Sequence, residues 1–101
     1  MNKSLVVVVV ILLAFCLRAG ADEDKGGVTY AARCAVCHGK DGVPKSFAKG
    51  SPAFNDEAWR KGASLESIEK VVAEGRGRMP AFGNKLTPEE IKAVSAYLKT
   101  L

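Results

Sequence analysis

One histidine, two methionines and three cysteines are all that this chain offers a metal in imidazole or sulfur ligands. Structural zinc takes four ligands, as a rule cysteines and histidines, and His38 with one closely spaced cysteine pair does not reach that number. Strands are lacking too. No stretch alternates apolar and polar residues for the length a strand needs, so the strand–helix alternation of thiol–disulfide folds is missing. Aromatics make up only 7% of the residues, and nowhere do they interleave with clustered Lys or Arg, which excludes the usual pattern of a nucleic-acid binder. No internal repeat occurs and no acid–base constellation is visible. Glu89-Glu90 resembles a paired-carboxylate site only until a helix start at Thr87 accounts for it. The chain reads as all-α and as no enzyme.

The first stretch stands apart from the rest. Met1-Asn2-Lys3 is a short basic start, Leu5 to Leu17 is an almost unbroken apolar run, and Ala19-Gly20-Ala21 is a small-x-small pattern. Together they predict a secretory signal peptide over residues 1–21, cleaved after Ala21. The apolar part is short for an ordinary membrane span; a retained anchor is the alternative. Cys16 follows Phe15, where a lipid-attachment signal wants a small residue. Cleavage removes Lys3 and Arg18 and takes the formal charge from +4 to +2. It also leaves Cys34 and Cys37 as the only cysteines of a single domain, residues 22–101, and places that domain in the periplasm.

Those two cysteines stand in Cys34-Ala35-Val36-Cys37-His38-Gly39, and Cys-x-x-Cys-His is the attachment signature of a c-type haem. Residues three and four apart share one helix face. Cys34 and Cys37 can thus present two sulfurs along one porphyrin edge as thioethers, with His38 beneath the ring as proximal iron ligand. Gly39 can end the helix. A thiol–disulfide pair is the competing reading of Cys34 and Cys37.

The rest reads as helices and loops. A first helix runs from about Lys25 to Cys37 behind the acids Asp22-Glu23-Asp24, and a long loop spans Gly39 to Phe54. Asn55 or Asp56 can cap a short helix through Lys61, ended by Gly62. Ser64 caps the next, with Leu65, Ile68, Val71 and Val72 as an apolar stripe stopped by Gly75. Thr87-Pro88-Glu89-Glu90 joins a capping box to a proline in the first turn, with Leu86 and Ile91 as a staple. Ile91, Val94, Tyr97, Leu98 and Leu101 form the buried face of this last helix.

Once the signal peptide is gone, Met79 is the only methionine. It sits in Arg76-Gly77-Arg78-Met79-Pro80-Ala81-Phe82, where Pro80 holds it extended and bars a helix. A thioether on such a loop is an odd choice for core filling and suits the sixth position of haem iron, where it raises the reduction potential.

With these residues in place, the sequence resembles a small bacterial class I c-type cytochrome over essentially all of residues 24–101. The matching elements are Gly26 with Tyr30, Cys34 to Gly39, Gly50-Ser51-Pro52-Ala53-Phe54, Arg78-Met79-Pro80-Ala81-Phe82, and Tyr97-Leu98. The resemblance implies about four short helices around one covalently bound haem c, ligated by His38 and Met79. It implies a crossing of the first and last helices near Gly26, Tyr30 and Tyr97. It also implies a proline carbonyl that accepts the ring N–H of His38; Pro52 fits that pattern best, with Pro44 nearer in sequence. Trp59 either contacts a haem propionate or packs against the ring. Arg76 and Arg78 can pair with propionates or rim a docking surface.

The function so implied is a soluble, exported one-electron carrier between redox partner proteins, monomeric and not inserted in a membrane once the signal is removed. An apolar wall of Val36, Phe54, Leu65, Val72, Phe82 and Leu98 would keep water from the site. Two rivals stand beside it. One is a haem sensor or peroxidase-like protein with a loose Met79; the other is a dedicated subunit of a larger redox complex.

Overall fold

The computed structural model describes residues 25–101, so the signal-peptide and cleavage-site expectations lie outside the described residues. Four helices follow one another. The first, α1, covers residues 25–38 and includes a π-helical stretch at Tyr30–Cys34 and a last α-turn at Ala35–His38. A single 3-10 turn, Ser46–Ala48, interrupts the loop that follows. Then come α2 (Glu57–Gly62), α3 (Leu65–Glu74) and α4 (Pro88–Leu98). No strand forms among the described residues.

The helix starts are written in the local sequence. Asp56 accepts the Ala58 N–H at the head of α2, and Ser64 Oγ accepts the Ser67 N–H at the head of α3. At α4 the capping box closes both ways: Thr87 Oγ1 accepts from Glu90 N–H at 3.2 Å and Glu90 Oε1 accepts from Thr87 N–H at 3.0 Å. Leu86 and Ile91, the expected staple, are both buried. The end of α2 differs slightly from expectation. Gly62 belongs to the helix and Ala63 caps it, its N–H returning to the Trp59 carbonyl.

Helix α3 packs on α4, and one core of Tyr30, Phe54, Ile68, Val72, Phe82, Leu86, Ile91, Val94 and Leu98 lies between them and α1. Of the expected wall, Phe54, Val72, Phe82 and Leu98 are buried, whereas Val36 and Leu65 remain 63% and 45% exposed. Leu65 is the first residue of α3, ahead of the turn on which Ile68 and Val72 reach the core, and Val36 points away from it between the two cysteines. The tail is tied back to α2: Arg60 donates to the Leu101 carbonyl at 3.1 Å, and Lys99 Nζ to the Ala63 carbonyl at 2.8 Å.

The implied crossing of α1 and α4 is present. The Tyr30 and Tyr97 rings lie 5.4 Å apart, and a Cβ on Gly26 would overlap the Ala93 carbonyl oxygen and stand 3.0 Å from Tyr97 Cβ. Backbone cannot yield there as a flexible side chain could. Alanine at position 26 would gain up to about 1 kcal/mol in helix propensity, and the overpacking outweighs it. We expect Gly26→Ala to destabilise the haem-loaded protein by about 2–3 kcal/mol net, or roughly 10–20 °C in Tm for a domain of this size. Thermal unfolding followed by circular dichroism checks this; an unchanged Tm would mean that the helices slide apart freely.

Candidate haem-binding site

The two cysteines and the histidine sit at the carboxyl end of α1, on a segment that is not a plain α-helix. The Ala35 N–H reaches back to the Tyr30 carbonyl, a π-type bond that puts one extra residue into the turn. Such an insertion advances the residues after it by about 100° around the axis. Cys34 closes the wide turn, and Cys37 and His38 follow on the re-phased α-turn. Both cysteines are half-buried.

Three bonds close the end of this segment. Gly39 leaves the helix at φ +79°, where a side chain would strike the Val43 carbonyl oxygen. Its N–H bonds to Ala35 O at 2.9 Å, and Lys45 N–H bonds to Cys37 O at 3.0 Å. The Tyr30 hydroxyl donates to Gly39 O at 2.6 Å. Tyr30 itself is 2% exposed, and burial, followed by nearby Cys34, pushes its phenol up to about 12; it therefore stays protonated and able to donate.

The electrostatics separate the readings of the cysteine pair. Burial first, and then Cys37, raise the Cys34 thiol to about 11. Thiol–disulfide catalysts need the opposite shift, toward a thiolate at neutral pH. Burial lowers the His38 pKa below its ordinary 6.5, so at pH 7 the ring is neutral, the form that binds a metal.

The His38 ring stacks on Phe54 at 4.7 Å and 29°, and Phe54 packs in turn against Trp59 at 4.7 Å and 43°. Phe54 is held by its own N–H to Gly42 O at 2.9 Å and by the bare backbone of Gly42, where a Cβ would come 2.9 Å from Phe54 Cβ. The expected bond between His38 and Pro52 is not formed. His38 Nδ1 is buried without a partner, and Pro52 is exposed. The imidazole lies flat on Phe54, two residues beyond Pro52. Trp59 is half-buried and engaged through its ring.

Met79 is placed by a tight turn. Arg76 and Met79 exchange two backbone bonds, of 3.1 and 2.9 Å, around Gly77 at φ +56°. The turn folds over Gly75 (φ +76°) so closely that a Cβ there would lie 2.6 Å from Met79 O and 2.9 Å from Ala81 N. Beyond it, Phe82 N–H bonds to Val72 O and Gly83 N–H to Ala73 O, fastening the loop to α3. Arg76 and Arg78 are exposed.

Cys34, Trp59 and Met79 thus border one and the same core, and His38 joins it through Phe54. Two thiols, a neutral imidazole with a buried unpartnered nitrogen, and a thioether make up a donor set that fits a covalently attached haem. Sequence reasoning missed the Tyr30 bond to Gly39, the seat of His38 on Phe54, and the service of Gly42 and Gly75 in close backbone approach. For the glycines a turn signal existed; for the other two no local signal did.

Known proteins resemble this chain. The family model described as cytochrome c oxidase, cbb3-type, subunit III matches residues 21–98. The cbb3-type cytochrome c oxidase subunit FixP of Azorhizobium caulinodans is 40% identical over 78 residues, which cover 76% of this chain and only 26% of FixP. Cytochrome c6 of Gloeothece citriformis is 34% identical over 100 residues, covering 94% of this chain and 88% of that protein. Among solved structures, the KustC0563 c-type cytochrome superposes with a TM-score of 0.70 at 36% identity, over 74% of this chain and 94% of its own. Cytochrome c6C from Synechococcus sp. PCC 7002 gives 0.64 at 35% identity, over 75% and 92%. The chain belongs to the family this model describes and is a small class I c-type cytochrome with covalently attached haem c.

Proposed function

We propose that this cytochrome is exported, is cut after Ala21, and works in the periplasm as a monomer of residues 22–101, carrying electrons between redox partner proteins. Cys34 and Cys37 hold the haem, and His38 and Met79 are the axial ligands of its iron. When bound, the haem supplies one-electron cycling between Fe(II) and Fe(III). The chain's own residues do the rest. His38 stays neutral at pH 7 through burial, and Phe54 seats its ring. The Met79 turn is fixed at both ends by backbone bonds, so little has to rearrange when the charge changes. The observation that carries this reading is the placement of the Met79 turn and the Cys34–His38 segment, far apart in the chain, against one core.

One finer assignment belongs to the same reading. Trp59, already packed on Phe54, offers its indole N–H to a propionate.

The test is optical. The full chain is produced in a host that exports and matures c-type cytochromes, and the purified product is weighed by mass spectrometry. The expected mass is that of residues 22–101 plus one haem. The ferric form should show a far-red sulfur-to-iron band, and the reduced form no change on adding carbon monoxide. A missing band with ready carbon monoxide binding would move the protein to the sensor or peroxidase-like class. A chain with no covalent haem would overturn the reading altogether. The likeness to FixP, named as an oxidase subunit, supports one variant, a cytochrome held in a larger complex; co-purification of a second protein at native expression level distinguishes it from a free carrier.

A further inference from the structure

Tyr30 is bonded at both ends to the segment that carries the haem-binding residues. Its backbone carbonyl takes the Ala35 N–H that opens the π turn. Its hydroxyl crosses nine positions to donate to Gly39 O at 2.6 Å. Between the two attachment points, Ala35 and Gly39, lie Cys37 and His38, with Cys34 just ahead of the first. The ring is 2% exposed and packs on Tyr97 of α4, so the clamp is anchored to the helix crossing, where Gly26 allows no slack. His38 Nδ1, meanwhile, has no partner within the chain. The direction of the imidazole therefore depends on the backbone that presents it and on the Phe54 ring it lies against.

We infer that Tyr30 is a positioning residue for His38: its hydroxyl, bonded to the Gly39 carbonyl, fixes the orientation of the Cys34–His38 segment relative to α4. Phenylalanine at this position would supply the same ring to the crossing with Tyr97, so the packing alone does not call for the hydroxyl. A free hydroxyl in this place would be a buried polar group without a bond, which costs more than it returns. Its 2.6 Å bond is short, falls on a carbonyl at a helix end, and directly follows the residue to be held. The inference rests on the proposal that His38 is an axial ligand.

The experiment compares Tyr30→Phe with Tyr97→Phe in the exported, haem-loaded protein. Both remove one phenolic oxygen from the same ring pair, but only the first touches Gly39. Two readouts follow the haem and not stability: the ferric proton spectrum, in which the His38 ring protons are displaced by the iron, and the pH at which the far-red band is lost. Tyr30→Phe should displace the His38 ring signals and lower the midpoint pH of band loss, while Tyr97→Phe leaves both as in the parent. Unchanged signals and midpoint in Tyr30→Phe would overturn the inference. So would equal changes in both variants, which mean general loosening of the crossing. If Tyr30→Phe yields no haem-loaded protein, amide exchange in the parent decides: the bonded N–H groups of Gly39 and Gly42 must be protected to the same degree as α4, and fast exchange there overturns the clamp. A parent protein whose ferric spectrum holds no iron-displaced His38 ring signals refutes the ligand assignment instead, and the two failures are told apart.

Discussion

Replacing Met79 with alanine should leave the haem attached and change nearly everything else about the iron. Cys34, Cys37 and His38 all lie at the end of α1 and none of them contacts the Arg76–Met79 turn through a hydrogen bond. The turn is built from backbone bonds between Arg76 and Met79 and from the positive φ of Gly75 and Gly77, none of which needs the methionine side chain. Met79→Ala is thus a local deletion of a half-buried thioether, and attachment, folding and the Phe82 and Gly83 bonds to α3 should survive. The far-red band should vanish and carbon monoxide should bind the reduced protein readily. Loss of a thioether that favours ferrous iron should lower the reduction potential by roughly 0.1–0.3 V, a moderate part of the ~0.8 V over which axial ligation tunes haem proteins. Potentiometric titration with optical detection reads all three. A variant that keeps the band and the potential would show that the sixth ligand comes from elsewhere.

That such a substitution can be named at all reflects how much of this site is local. The starts of α2, α3 and α4 follow from single side chains acting on backbone two or three residues away, so Asp56, Ser64 and the Thr87–Glu90 pair are legible without any knowledge of the fold. The Cys34–His38 spacing and the loop character of Met79 are legible for the same reason. Other features depend on groups that meet only after folding. The bond from Tyr30 to Gly39 spans nine residues, and the seat of His38 on Phe54 spans sixteen positions with a glycine-bearing loop between. The π turn is invisible locally, because its residues, Tyr30-Ala31-Ala32-Arg33-Cys34, would suit an ordinary α-helix equally well. Pro52 illustrates the reverse case. The motif around it was found by resemblance, and the chain places that motif's Phe54, not the proline carbonyl, against His38.

A chain deprived of its haem, by Cys34→Ala with Cys37→Ala, should lose cooperative unfolding. Among the described residues only nine buried apolar side chains gather into one core, and domains below about 80 residues seldom stabilise themselves by so small a core without a staple. Ordering costs about 1–2 kcal/mol per residue of backbone entropy, against about 1.5–3 kcal/mol for each large apolar side chain buried. Exposed apolar side chains add to the deficit: Val36, Val43, Phe47 and Leu65 are left largely exposed by the protein's own contacts. The helices are not equally affected. Asp56 and Ser64 cap α2 and α3, and α4 has a full capping box with Pro88 in its first turn, so α4 should retain part of its helicity. The segment from Gly39 to Phe54, with one 3-10 turn and scattered backbone bonds, has no such local support. The expected circular dichroism of the double variant is reduced helix content that declines gradually on heating, where the haem-loaded parent shows a sigmoidal transition. Denaturant titration should likewise give a shallow slope, because little surface remains to be exposed. A sharp transition near the parent's Tm would show that the nine-residue core suffices alone and that the haem is a passenger in this fold.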